Sequence, residues 1–115
     1  METNEILEGN KLIAVFLGGK NHSGRTEWFY FLSQGKYIRE NELNYNSSWD
    51  GIMQAVEKID NLGASVIIGR MFCEIKYIDP LNESKCFDVR IASGVKINAV
   101  YGAVIEFIKW YNLNK

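Results

Sequence analysis

The segment Glu27–Leu32 places the strongest constraint on the fold, because it alternates large apolar side chains on both faces of a strand. On one face lie Trp28, Tyr30 and Leu32, and on the other Phe29 and Phe31. A strand that is apolar on both sides must be covered on both sides. The segment therefore predicts the central strand of a sheet that lies between helical layers.

Two later segments alternate apolar and polar side chains and predict strands that are half-exposed. Their apolar positions are Met71, Cys73, Ile75 and Tyr77 in one segment and Phe87, Val89 and Ile91 in the other. Between them Asp79–Glu83 predicts a turn, because Pro80 has a backbone angle already set for a bend.

A helix is predicted over 97–111, where apolar residues recur at spacings of three and four. They are Ile97, Val100, Tyr101, Val104, Phe107, Ile108 and Tyr111. A second helix is predicted over 48–62. Ser47 and Asp50 match the capping-box pattern at its start, and Gly63 matches a left-handed cap at its end.

The N-terminal segment allows two interpretations. Ile6, Ile13 and Phe16 share a helical face, but Leu12–Leu17 is a continuous apolar run that would also suit a buried strand. We favour a helix that ends at Gly18. With three helices and four or five mostly antiparallel strands, residues 1–115 predict one α+β domain, a three-layer α/β/α sandwich.

Composition narrows the classes of function. The formal net charge of −1 excludes the basic excess expected of a protein that binds duplex nucleic acid. No apolar run is long enough to span a membrane, and the first residues lack the positive region of a secretory signal, so we expect a cytoplasmic protein. In that compartment the two cysteines should be reduced, Cys73 in the core and Cys86 on a strand or turn.

Motifs for catalysis or cofactors are missing from the sequence. His22 is the only histidine, and the spacing of Cys73 and Cys86 matches no zinc pattern. No G-x-S-x-G elbow occurs, and Gly18–Gly24 lacks the spacing of a phosphate-binding loop, so a flexible surface loop is predicted there. We expect no metal and no cofactor, and a non-enzyme is favoured over an enzyme.

One polar cluster, 44–50, is a candidate ligand site, because the amides of a helix N-terminus attract anions and small polar groups. Its candidate residues are Tyr45, Asn46, Ser47, Ser48, Trp49 and Asp50, with His22 and Arg25 added if the Gly18–Arg25 loop lies beside them. The structural interpretation is that Ser47 and Asp50 cap the helix, and that Tyr45 and Trp49 anchor it on the sheet.

Trp110 lies off the apolar stripe of the last helix, on the side of Ala99 and Ala103. These three residues could form a small apolar patch on the outer face, suitable for a dimer contact. The alternative is that Trp110 folds back over the edge of the sheet.

Three segments resemble the phage ABA sandwich domain, a family of small proteins from gut bacteria and phage-derived regions. The segments are Asn10–Ala14 with the apolar run after it, Tyr45–Asp60 with its Ser-Trp-Asp start, and Val100–Asn112 with its Phe-Ile-Lys-Trp-Tyr-Asn end. Asn46 and Gly51 stand where these relatives often have histidine and tryptophan, so no histidine chemistry carries over. The resemblance implies a helix-sheet-helix sandwich, a helical N-terminus and a phage or mobile-element context, but no activity.

The sequence thus favours a small accessory protein that works by binding, through a protein partner or self-association. The alternative is a protein that binds or sequesters a small nucleotide-like ligand, or an enzyme, with its pocket at the start of the second helix. A structural component of a larger assembly is a third possibility.

Overall fold

The computed structural model describes residues 3–22, 25–32 and 34–114. This part of the chain contains three α-helices, six strands and one 3-10 turn, Glu40–Glu42. In chain order the helices and strands are α1 (Thr3–Phe16), β1 (Lys20–His22), β2 (Arg25–Phe31), β3 (Lys36–Arg39), α2 (Trp49–Asn61), β4 (Ser65–Ile68), β5 (Phe72–Asp79), β6 (Asn82–Ala92) and α3 (Lys96–Asn114). The predicted α+β class is therefore confirmed.

The six strands form two antiparallel sheets of three, β1-β2-β3 and β4-β5-β6. The sequence predicted a single sheet of four or five strands. The difference arises because α2 separates the two groups of strands in the chain, and each strand pairs only with its neighbours in sequence. Each sheet is thus a meander closed by short connections.

In the first sheet β2 is central, as the sequence predicted. Its inner face is buried through Phe29 and Phe31. Trp28 and Tyr30 on the opposite face are only half-buried, and Leu32 just beyond the strand is 81% exposed. The prediction that both faces are covered was therefore wrong for the outer face.

The second sheet confirms the predicted half-exposed strands. Cys73 and Ile75 of β5 are fully buried, whereas their strand neighbours Lys76 and Ile78 are exposed. The turn after β5 is stabilised by the Asp79 carboxylate, which accepts a hydrogen bond from the backbone amide of Leu81 at 2.8 Å. Both cysteines are free thiols, Cys73 buried and Cys86 exposed.

Helix α3 supplies the largest share of the core. It packs against β5 and β6 and also contacts α1 and α2. Its buried residues are Ala99, Val100, Tyr101, Ala103, Val104, Phe107 and Ile108. The predicted helix at 97–111 is confirmed, and it is longer by one residue at its start and three at its end.

Helix α2 begins one residue later than the capping-box prediction required. Ser48, not Ser47, is the N-cap, and its hydroxyl accepts a hydrogen bond from the amide of Gly51 at 3.1 Å. Asp50 consequently falls in the first turn of the helix, where its negative charge suits the helix dipole. At the other end Gly63 has φ of +102°, as predicted for a left-handed cap.

Helix α1 resolves the ambiguity of the N-terminal segment. The run beginning at Leu12 continues the helix to Phe16, and Gly18 turns the chain with φ of +94°. The end of α1 is fixed by Lys58 of α2, whose ammonium group donates a hydrogen bond to the carbonyl of Phe16 and lies over its ring. A cation at this position satisfies a carbonyl that the helix leaves unpaired.

Candidate functional site

The predicted polar cluster at the start of α2 is used mostly for structure. Tyr45 is buried, and this burial raises the pKa of its phenol to about 12. Ser48 is the helix cap, and Asn46 accepts a hydrogen bond from Asn10 of α1. Of the six candidate residues at 45–50, Ser47, Trp49 and Asp50 are exposed.

Asn10 is a polar residue of this site that the sequence reading missed. It is 3% exposed, and its amide nitrogen donates to the Leu43 carbonyl and to Asn46 Oδ1, each at 3.0 Å. Its own carbonyl oxygen, Oδ1, is buried and has no hydrogen-bond partner. The available signal was its position, four residues after Ile6 and three before Ile13 on the apolar face of α1.

His22 and Arg25 are not brought to this cluster by any described contact. They are register partners at the end where the chain connects β1 to β2, and their side chains lie outside the described residues. Their part in a ligand site therefore stays a prediction. The flexible loop predicted over Gly18–Gly24 is wrong in part, since Lys20–His22 is a strand, and Ser23 and Gly24 lie outside the described residues.

The apolar patch predicted around Trp110 is not a surface. Ala99 and Ala103 are both 0% exposed, so they lie in the core of the monomer and cannot serve a dimer contact. Trp110 is half-buried and packs against Tyr77 and Phe87, with ring centroids 5.8 and 5.4 Å away. These contacts favour the alternative, that Trp110 folds back over the edge of the sheet, since Phe87 belongs to the edge strand β6.

A groove of about 740 Å³ lies between α1 and α3 in the described part of the chain. Gly9 allows α1 and α3 to approach closely at the groove, because a Cβ at this position would lie 2.2 Å from the phenol oxygen of Tyr101. Tyr101 donates a hydrogen bond to the Ile6 carbonyl at 3.1 Å, which fixes the crossing of the two helices. The apolar lining of the groove comprises Gly9, Leu12, Tyr101, Gly102 and Ile105.

The rim of the groove is mainly acidic. Three exposed carboxylates, Glu5, Glu8 and Glu106, line it together with one lysine, Lys109. Lys11, next to the groove on α1, lies 3.5 Å from Glu8 and 3.7 Å from Glu40. An apolar floor with an excess of carboxylates at its rim has the chemistry to hold an amphipathic, cationic segment.

Other classes of site find little support in the described part of the chain. Within residues 3–22, 25–32 and 34–114, no group of three metal-ligating side chains comes together. Among the same residues, no helix has the length and apolar character needed to cross a membrane.

Comparison with known proteins adds no relative. No protein-family model, no curated protein and no solved structure matches the chain. The resemblance to the phage ABA sandwich domain accordingly stays a prediction, and functional inference depends on the geometry of the molecule itself.

Proposed function

We propose that this protein is a non-enzymatic binding module that holds a basic amphipathic helix of a protein partner in the groove between α1 and α3. The observation that carries the proposal is the combination of an apolar floor and an acidic rim in one groove of about 740 Å³. The cytoplasm is the proposed compartment. The phage or mobile-element context and the three-layer sandwich belong to the same proposal, supported by the sequence resemblance.

The dimensions of the groove suit a short helical segment. Its lining extends from Asn4 to Leu12 on α1 and from Tyr101 to Lys109 on α3. Each stretch spans eight helical rises, or about 12 Å, which is slightly more than two turns. A partner helix would therefore place anchors at spacings of three and four residues on Leu12 and Ile105, as amphipathic helices do in other grooves.

The charges of the rim determine which charge the partner helix should carry. The lining has three carboxylates, Glu5, Glu8 and Glu106, and one lysine, Lys109. The carboxylates remain in excess when Lys11, which pairs with Glu8 beside the groove, is also counted. Lysine or arginine residues beside the apolar anchors of a partner would pair with these carboxylates, and an acidic helix would be repelled. Such rim charges contribute chiefly to specificity and to the rate of association.

The test uses a defined peptide of about 18 residues, a fluorescein-labelled Leu/Lys amphipathic helix, with a Leu/Glu helix of the same apolar pattern beside it. Fluorescence anisotropy measures binding at low salt. We expect the basic peptide to bind and the acidic peptide to bind at least about tenfold more weakly. Amide chemical-shift changes should map to the groove residues of α1 and α3.

The groove variant is Glu5→Lys with Glu106→Lys, and its control is Glu57→Lys with Asp60→Lys on α2. All four residues are exposed, and both double variants change the net charge equally. We expect the groove variant to lose about tenfold in affinity and the control to change less than twofold. Equal losses in both variants, or shift changes on another surface, would refute the groove. If both double variants remain dimers and the peptide does not bind, self-association would be favoured instead.

A second candidate function, a small polar ligand at the start of α2, is favoured by the unpartnered Oδ1 of Asn10. This buried acceptor lies on the amide group that bonds to Asn46 of the polar cluster. Native mass spectrometry on gently purified protein tests it. A stoichiometric retained mass that disappears in Asn10→Ala but not in the groove variant would support the pocket, whereas a mass equal to that of the bare chain would refute it.

A further inference from the structure

The outer face of the first sheet carries an aromatic and cationic surface that the groove does not use. Register places Lys20, Tyr30 and Tyr37 in one row across the three strands, and Trp28 with Arg39 in the next row. Directly paired residues of an antiparallel sheet share a face, so these five side chains lie on the face opposite the buried Phe29 and Phe31. We refer to the five residues together as the aromatic face.

The aromatic rings of this face are partly open to solvent. Tyr37 is 52% exposed, and its ring packs on that of Tyr30 with centroids 4.7 Å apart. The guanidinium group of Arg39 lies 5.0 Å from the centre of the Trp28 ring. Trp28 and Tyr30 are two residues apart on β2, so their side chains lie about 7 Å apart along the strand.

The charge of this face distinguishes it from the second sheet. Its charged members, Lys20 and Arg39, are both cations. The second sheet also has an arginine over an aromatic ring, Arg90 at 4.1 Å from the centre of Phe72. There, however, Arg90 is paired across the strands with Glu74, and Lys76 with Asp88, so these two cations each have a carboxylate opposite them.

We propose that the aromatic face binds single-stranded nucleic acid. Exposed rings on a sheet stack on unpaired bases of any sequence, and neighbouring cations follow the phosphate backbone. This combination needs both aromatic rings and positive charge. Among the residues that the structure describes, the strand partners of Lys20 and Arg39 are Tyr30 and Trp28, so neither cation has a carboxylate directly opposite it. A chain with a net charge of −1 lacks the broad basic surface for a duplex, whose bases are also closed to stacking.

This inference concerns a different surface from the proposed peptide groove and stands or falls independently of it. The probe is fluorescein-labelled oligothymidine of about 12 nucleotides, measured by fluorescence anisotropy at low and moderate salt, with oligouridine of equal length beside it. We expect both single strands to bind, and a duplex of the same length to bind at least about tenfold more weakly. Quenching of tryptophan fluorescence on binding should be reduced in Trp28→Phe.

Two variants separate stacking from charge. We expect Tyr37→Ala to weaken oligothymidine binding about tenfold, and Arg39→Gln to weaken it severalfold with a smaller salt dependence. Arg90→Gln is the matched control, because it removes the same type of cation–ring pair from the second sheet. It should leave the affinity unchanged. Thermal melting of each variant establishes that the fold is retained.

Four results would overturn the proposal. These are the absence of binding by either single strand, equal binding of the duplex, equal displacement by inorganic polyphosphate, and loss of affinity in Arg90→Gln as large as that in Arg39→Gln. The second and third would mean that only charge is recognised. Size-exclusion chromatography measures the oligomeric state as well. If the protein is a dimer that Tyr37→Ala converts to a monomer, and no oligonucleotide binds, the aromatic face would be assigned to a second copy of the chain.

Discussion

At the residue scale, Gly9 sets the closest approach between α1 and α3. Glycine in a helix normally costs about 1 kcal/mol relative to alanine, so Gly9→Ala should gain that amount from propensity alone. Its Cβ would, however, lie 2.2 Å from the phenol oxygen of Tyr101, so this buried ring would have to shift and weaken its hydrogen bond to the Ile6 carbonyl. We expect a net loss of roughly 1 to 3 kcal/mol in the free energy of unfolding, measured by urea denaturation.

Two further variants make the effect of Gly9→Ala specific. Gly102→Ala is the matched control on α3, where the new Cβ would lie 3.2 Å from a methyl group of Ile91. Its free energy of unfolding should stay within about 1 kcal/mol of that of the original chain. Adding Tyr101→Phe to Gly9→Ala removes the clashing oxygen and should recover part of the loss. A stabilised Gly9→Ala would contradict the close crossing.

The two thiols should differ sharply in reactivity. Cys73 is 0% exposed, and burial raises the pKa of its thiol to about 11, whereas Cys86 is exposed. Since the thiolate is the reactive form, Cys86 should react with a disulfide reagent within minutes and Cys73 only after unfolding. Reagent titration in buffer and in denaturant measures this. Two fast thiols in the folded chain would contradict the burial of Cys73.

At the scale of the element, the start of α2 provides a test of register. Ser48→Ala should destabilise the protein by about 1 kcal/mol, because the amide of Gly51 loses its acceptor. Ser47→Ala is the control: its hydroxyl is exposed and lies 3.4 Å from the Asn44 carbonyl, so a change below about 0.5 kcal/mol is expected. Thermal melting measures both variants. If Ser47 were the true cap, Ser47→Ala would be the more destabilising of the two.

Helices were the elements most accurately predicted from the sequence, because their signals are local. The apolar spacing of α3 and the glycine that follows α2 are each read from a short stretch of neighbouring residues. Both predictions agree with the structure. The error of one residue at Ser48 has a local cause as well. Two consecutive serines offer the same hydroxyl, and their side-chain chemistry alone does not select between them.

The candidate sites were harder to predict, because they depend on contacts between distant parts of the chain. Tyr101 and Ile6 are 95 residues apart, and no local pattern indicates that they meet. The same applies to Asn10, whose hydrogen bonds reach 33 and 36 residues along the chain. Ala99 and Ala103 seemed to lie on an outer face because the sequence does not show how many neighbours surround α3.

For the whole molecule, three buried groups predict a loss of stability at alkaline pH. Burial raises the pKa of Cys73 to about 11 and those of Tyr45 and Tyr101 to about 12. In the unfolded chain these groups lose their protons near pH 9 to 10, so above that range the unfolded state binds fewer protons and is favoured. The contribution of these three groups to stability should therefore be present below about pH 9 and be lost between about pH 9 and 12.

The thiol contribution to this alkaline loss can be isolated. The rise in the pKa of the Cys73 thiol from 9.0 to about 11 corresponds to roughly 3 kcal/mol. We expect Cys73→Ala, although less stable at pH 7, to lose less stability between pH 9 and 11 than the original chain does. Urea denaturation at each pH measures this. The same slope in both proteins would show that Cys73 does not titrate differently on folding.

The order of the elements also bears on how the protein folds during synthesis. Every strand pairs with its neighbour in sequence, so each meander has its hydrogen-bonding partners as soon as its own residues leave the ribosome. The second meander nevertheless has no helix against Cys73 and Ile75 until α3 emerges, since α3 is the helix that packs on β5 and β6. A nascent chain that has reached β6 thus exposes an apolar sheet face. Its vulnerability to aggregation and proteolysis should end only when α3 docks.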